Sequence, residues 1–154
     1  MPHIKLKKVH PDAIVPTKGT GGAACFDLFA LKDVEIKPGE MVRVGIGFEI
    51  EVPPDHALMI YSRSGQGFNH KVTLVNGTGV IDSDYRGHVL VGLQNNGSET
   101  YLQPYGKAIA QAMLVYVPFT SLDITDELSK TDRGDNGFGS TDGSPIMGSR
   151  HLEK

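Results

Sequence analysis

Residues 42–52 read VRVGIGFEIEV, from Val42 to Val52. Val42, Val44, Ile46, Phe48, Ile50 and Val52 fall at every second position, with Arg43, Glu49 and Glu51 between them. Only a pleated strand sends alternate side chains to opposite faces, so this period specifies a strand with one apolar face. The theme returns in IKLKKVH (4–10), VEIKP (34–38), HALMIYS (56–62), KVTLV (71–75), HVLVGLQ (88–94) and AQAMLVYV (110–117). The 19 glycines and 9 prolines are spread between these runs as turn punctuation, with KPGE (37–40) and NNGS (95–98) as ordinary turn chemistry. SGQGFNH, Ser64 to His70, is the best candidate for a helix, and it is short. The expectation is an all-β sandwich or barrel of short strands with at most one short helix.

With 154 residues the chain is long enough for one domain with a substantial core. A formal net charge of −3 gives no basic footprint for nucleic acid, and no Lys/Arg cluster marks a membrane surface. The longest apolar runs, such as AIAQAMLVYVPF (108–119), are shorter than the roughly 20 residues of a membrane span. MPHIKLKKVHPD at the start lacks the apolar core of a signal peptide. A lone cysteine, Cys25, excludes an intrachain disulfide and fits a reducing compartment, so the expected location is cytoplasmic. After about Leu128 the composition turns to glycine and small polar residues around one aromatic, Phe138. The expected organisation is a β-sandwich core over 1–128, a flexible tail over 129–143 and an extension without readable pattern over 144–154.

Five segments carry chemistry. YSRSGQG (61–67) offers a forked cation, Arg63, beside hydroxyls and glycines that suit phosphate; a surface turn with an exposed arginine is the plainer alternative. In AACFDLFA (23–30), Asp27 sits among small and apolar residues and needs a partner, a metal, water or backbone N–H groups. In GKAIAQAML (106–114), Gln111 needs hydrogen-bond partners, which a cross-strand contact would also provide. RGDNGFGST (133–141) resembles a phosphate-cradling loop without being the Walker pattern, and its isolated Phe138 is suited to stacking on a base. GVIDSDYRG (79–87) places two acids, a phenol and a guanidinium in what reads as a hairpin loop. The six histidines show no zinc-site spacing.

In this order and spacing, AxxDLxA, SRSG, GVIDSDYRG, GxxIAQ and RGxxGFGST resemble the homotrimeric dUTP pyrophosphatase (dUTPase) family from about Ala23 to Thr141. The resemblance implies a jelly-roll-like β-sandwich or distorted barrel with a flexible C-terminal tail. It implies hydrolysis of dUTP to dUMP and pyrophosphate with Mg2+, which keeps uracil out of DNA and supplies dUMP for thymidylate synthesis. It also implies homotrimers in which each site is built by three subunits. On this resemblance Asp82 activates the attacking water and contacts the 3'-hydroxyl, while Tyr85 lies under the deoxyribose and excludes a 2'-hydroxyl. Asn76, with backbone groups through Gly79, Val80 and Ile81, reads uracil. Arg63, Ser64, Gly65 and Gln111 hold phosphate oxygens, and Asp27 binds Mg2+ through water. Arg133 reaches the γ-phosphate, Phe138 stacks on uracil, and Gly139, Ser140 and Thr141 close over the phosphates. Arg86 is expected to brace its loop by pairing with a carboxylate, and Asp84 to be a supporting or turn residue.

Several positions depart from the pattern: Cys25 for a frequent glycine, Ser62 for proline, Ala108 for the arginine of GxRIAQ, and Asn136 and Asp142 for glycines. None removes a group given a role above. dCTP deaminase shares the fold but uses a glutamate base, whereas Asp82 and the GFGST tail fit the pyrophosphatase. A regulatory role, with a protein partner if the chain is phage-derived, is a second reading of the same scaffold.

Overall fold

The computed structural model describes residues 1–137. One compact unit spans Met1–Phe119 and a second begins at Thr120; the described part of the second, to Gly137, holds neither strand nor helix. The first unit runs β1 (Lys5–Lys8), β2 (Phe26–Phe29), β3 (Val34–Ile36), β4 (Met41–Glu51), β5 (His56–Tyr61), α1 (Ser64–His70), β6 (Val72–Leu74), β7 (Thr78–Ile81), β8 (His88–Asn95), β9 (Tyr101–Gln103) and β10 (Ala108–Tyr116). The fold is an all-β sandwich of jelly-roll type with a single short helix among the described residues. One sheet has the order β1-β4-β8-β6, the other β2-β10-β5-β7, and β3 pairs with β9 as a ribbon. All the pairings are antiparallel. No described helix is long and apolar enough to cross a membrane.

A single core draws Ile46, Phe48, Val89 and Leu93 from the first sheet, Leu28, Ile60 and Ala112 from the second, and Ile36 from the ribbon. The alternation in 42–52 does what it predicts: Ile46, Phe48, Ile50 and Val52 are buried. IKLKKVH behaves differently, because among the described strands β1 has β4 as its one neighbour and is exposed throughout. Its lysines pair with β4, Lys5 with Glu51 at 2.6 Å and Lys7 with Glu49 at 2.7 Å, and charge on such an edge discourages pairing with another chain.

β4 serves two partners in succession. Its first half pairs with β8 and its second half with β1, and the β8 register jumps between Gly45–Leu90 and Glu49–His88. Gly47 sits in the jump at φ +77°, and its carbonyl accepts the Val9 amide at 2.9 Å. A Cβ there would lie 2.6 Å from Ala13 Cβ and from Leu31 Cδ2, so both conformation and space require glycine.

NNGS is more than turn chemistry, because Asn95 is fully buried. Its amide nitrogen donates to the carbonyls of Ile36 and Glu99, both at 2.8 Å, and its Oδ1 accepts the Gly97 amide at 2.8 Å. Its backbone also exchanges bonds with Gly39 and Glu40, so one residue ties the KPGE turn to the NNGS turn. Asn95→Ala strips three backbone groups of partners. A loss of about 3 kcal/mol is expected in urea unfolding, at roughly 1 kcal/mol per abandoned group.

Candidate active site

The polar side chains of β2, β10, β5 and β7 form a row across one face of the second sheet. Gln111 stands opposite Asp27 on one side and Tyr61 on the other, and Tyr61 stands opposite Thr78. Directly opposed residues share a face, so the pairing itself gathers Asp27 and Gln111. Arg63 follows β5 and joins them. Its Nε lies 3.2 Å from Asp27 Oδ1, and its Nη1 donates to the Ala108 carbonyl at 3.1 Å. The partner that Asp27 requires is therefore this guanidinium rather than backbone N–H groups. Gln111 Nε2 donates across the strands to the Ser62 carbonyl at 2.9 Å, and Ser62 Oγ accepts the Leu74 amide at 2.9 Å. Ser64 and Gly65 are exposed and open α1, where Arg63 is the cap and makes no side-chain capping bond. The first amides of the helix remain available to an acceptor.

Asp82 and Tyr85 lie elsewhere. Leu58 pairs with Ile81 and Tyr61 with Thr78, so Asp82 is level with Ala57 while Arg63 lies beyond the opposite end of β5. At a strand's rise of about 3.3 Å per residue, the two are separated by about 20 Å along β5. Within one chain the structure brings Asp27, Arg63, Ser64 and Gln111 together, and Asp82 with Tyr85, but not the two groups.

The reading of GVIDSDYRG as a hairpin loop is corrected. β7 and β8 do not pair with each other; β7 pairs with β5 and β8 with β4 and β6, so the segment crosses between sheets. Between the diverging strands lies a groove of about 220 Å³, lined by Val80, Ile81, Asp82, Tyr85, His88, Val89 and Leu90. Among the described strands none takes up the backbone donors and acceptors on the free edge of β7 or on the β6 side of His88–Val91. Tyr85 is pinned by donating its hydroxyl to the His88 carbonyl at 2.8 Å, and its amide bonds to the Asp82 carbonyl at 3.2 Å. Gly87 backs the ring, since a Cβ there would fall 2.5 Å from the tyrosine oxygen. Arg86 braces the loop through the carbonyls of Ser83 and Tyr85, at 2.7 and 2.8 Å, rather than through a carboxylate. Asp82, Asp84 and Asn76 are exposed; Asn76 precedes Gly77 in a turn and is not part of the groove wall. Gly79 packs on Ile60.

Arg133 is exposed and donates to the Asn136 carbonyl at 3.2 Å within its own turn. Phe138, Gly139, Ser140 and Thr141 lie outside the described residues. Composition gave no notice of a buried chain beneath the phosphate-binding candidates. Gln66 Nε2 donates to the Tyr101 hydroxyl at 3.0 Å, Tyr101 donates to Gln103 Oε1, and Gln103 Nε2 donates to the Ala108 carbonyl at 2.9 Å. Burial pushes the Tyr101 hydroxyl above its ordinary value of 10.0, against the bond from Gln66 and the nearby charge of Arg63. No sequence signal marks the three, since SGQGFNH (64–70) and TYLQPYG (100–106) carry no apolar period that would place these side chains in the core.

Among the described residues no cluster of three or more His, Cys, Asp or Glu side chains forms a metal cage. A half-buried carboxylate such as Asp27 fits Mg2+ in another manner, since magnesium keeps several waters and binds through one or two carboxylates and substrate phosphates.

The dUTPase family model matches residues 11–142. The deoxyuridine 5'-triphosphate nucleotidohydrolase of Nautilia profundicola is 41% identical over 138 residues, covering 90% of this chain and 97% of that protein. A mutant dUTPase of Staphylococcus bacteriophage 80alpha, solved with dUpNHpp, superposes with a TM-score of 0.83 at 21% identity, covering 90% and 98% of the two chains. A mutant dUTPase from phage phi11 of S. aureus, described with a structural Mg(II) ion, gives a TM-score of 0.74 at 20% identity over 81% and 97%. At those identities the phage enzymes speak for the fold alone. The family match over most of the length and the identity to the Nautilia enzyme carry the conclusion that this chain belongs to the dUTPase family.

Proposed function

We propose that the chain hydrolyses dUTP to dUMP and pyrophosphate at sites shared between copies of itself, with Asp82 activating water for attack on the α-phosphorus. Family membership makes it a dUTP diphosphatase. The mechanism and the assembly are our reading. The observation that carries it is the separation of about 20 Å between Asp82 and Arg63 along β5. A site needing both must take them from different chains, which is what a homotrimer with heterologous contacts supplies.

In this reading the groove between β7 and β8 takes the nucleoside. Uracil offers one N–H between two carbonyls, and the free backbone edges match that pattern without Asn76, which lies outside the groove wall, while a C5 methyl would meet the wall. The Tyr85 ring, held by His88 and backed by Gly87, lies against the deoxyribose and leaves no room for a 2'-hydroxyl. A second copy brings Arg63, Ser64, Gly65 and Gln111 to the phosphates, and a third brings the tail. There Arg133 meets the γ-phosphate, Phe138 stacks on uracil and Gly139, Ser140 and Thr141 shut out solvent. Asp82 accepts a proton from water as its oxygen bonds to the α-phosphorus. The α–β bridging bond breaks and its electron pair leaves with pyrophosphate. Asp27 would hold Mg2+ through water; when bound, the metal offsets charge on the triphosphate. The cation of Arg63 and the donors of Ser64 and Gln111 act where charge develops.

The test is pyrophosphate release from dUTP, UTP, dTTP and dCTP, with ammonia followed in parallel. A preference for dUTP of roughly 10²-fold or more is expected, the scale on which a pocket discriminates methyl and hydroxyl groups. Ammonia from dCTP without pyrophosphate from dUTP would sink the reading.

A further inference from the structure

We propose that Gln66, Tyr101 and Gln103 are positioning residues that set the Arg63 guanidinium for phosphate through the carbonyl of Ala108. The inference rests on the reading that Arg63 holds substrate phosphate. All three side chains are buried, and among the described residues every buried side-chain polar atom has a partner.

Each member of the chain donates to the next, from Gln66 to Tyr101 to Gln103 to Ala108, with no reversal of direction. The Ala108 carbonyl also accepts from Arg63 Nη1, so its two lone pairs are shared between the relay and the guanidinium. It is free to do so because the β10–β2 register slips between Ala108 and Ala110, where a bulge releases backbone groups from the ladder. Asp27 takes Nε on the other side, so two of the three guanidinium nitrogens are anchored. Gln66 and Arg63 belong to the same short segment at the start of α1, so the relay closes a ring running from the helix through β9 and β10 and back to the arginine. A purely apolar layer under α1 would fill the same space with less risk, because buried amides cost free energy whenever one partner is lost. What the polar chain adds is direction. It polarises and fixes one carbonyl, and that carbonyl orients one cation.

The test is a double-mutant cycle between Tyr101→Phe, which keeps the ring and removes the hydroxyl, and Arg63→Lys, which keeps the charge and loses the fork. Tyr101→Phe alone is expected to lower kcat/KM for dUTP about 10–10²-fold, the scale of a small misplacement of a binding group. Its affinity for deoxyuridine, which has no phosphate, should be unchanged. In the Arg63→Lys background the same substitution should change kcat/KM less than about twofold, since the group it acts through is already gone. Additive losses, or equal loss of deoxyuridine and dUTP binding, would overturn the relay while leaving the proposed activity standing. If Tyr101→Phe fails to fold, Gln66→Leu/Tyr101→Phe/Gln103→Leu replaces the relay by an apolar layer, and the same two measurements decide. Failure of the unsubstituted chain to release pyrophosphate from dUTP would remove both the relay and the activity it rests on.

Discussion

Asp82→Asn is expected to bind dUTP and to turn it over at least about 10²-fold more slowly, the low end of what a positioned general base contributes. Asparagine keeps the size and hydrogen-bonding reach of aspartate but cannot take a proton from water. Near-normal turnover would remove Asp82 from the role of base. The same variant also reports how the site is assembled. Arg63→Lys damages the phosphate half and leaves the groove intact, so each variant alone is impaired through a different half. Refolded together in equal amounts, mixed assemblies draw Asp82 from one chain and Arg63 from another. About a quarter of the sites then have both halves intact, because each half is sound with a chance of one in two in a closed ring of heterologous contacts. Pyrophosphate release from the mixture should rise to about a quarter of the unsubstituted rate, a result of the same heterologous geometry. If one chain supplied both groups, no mixed assembly would contain a sound site, and the mixture would stay at the level of its parents.

Gly47→Ala is the substitution expected to damage folding most. The left-handed conformation costs a residue with a Cβ roughly 1–2 kcal/mol. The new methyl must also displace Ala13 and Leu31, at 2.6 Å each, and overpacking of that kind costs about 1–3 kcal/mol. A total of about 2–5 kcal/mol is a large part of the roughly 5–15 kcal/mol that holds a domain together. Gly39→Ala separates the two causes, because Gly39 shares the φ of +77° but a Cβ there meets nothing within 4 Å. It should lose only the backbone share. Gly21→Ala, with open space and no left-handed backbone, should stay within about 0.5 kcal/mol of the parent. Urea midpoints of the three variants give the order directly. Equal losses at 47 and 39 would show that the Ala13–Leu31 contact does not constrain the site.

The strands were legible because burial leaves a period of two in the chain, as in 42–52. The jump at Gly47 was not, for a reason of parity. Between the pairs Gly45–Leu90 and Glu49–His88, three residues of β4 (46–48) oppose one of β8 (Val89), so the excess of two is even and the inward and outward faces never exchange. Pairing partners were also hidden. The residues of 79–87 specify a reversal, but whether its arms bond to each other depends on β5 and β4, which lie far away in the chain. The chemistry of Asp27, Arg63, Asp82 and Gln111 could be read from residue type and order. That Asp27 and Arg63 meet while Asp82 stands apart could not, because it follows from register. Gln66, Tyr101 and Gln103 were invisible for the opposite reason: each is an ordinary residue, and only burial makes its hydrogen bonds consequential.

The distance between the two ends of β5 also bears on inheritance. On the proposed assembly each chain lends Asp82 to one site and Arg63 to another. A chain defective in one half therefore silences one site, and activity in a cell carrying sound and defective copies falls in proportion to the dose of the defective copy. A chain defective in both halves but still able to assemble silences two sites. Activity then follows the square of the sound fraction, so half the gene product would yield only a quarter of the function.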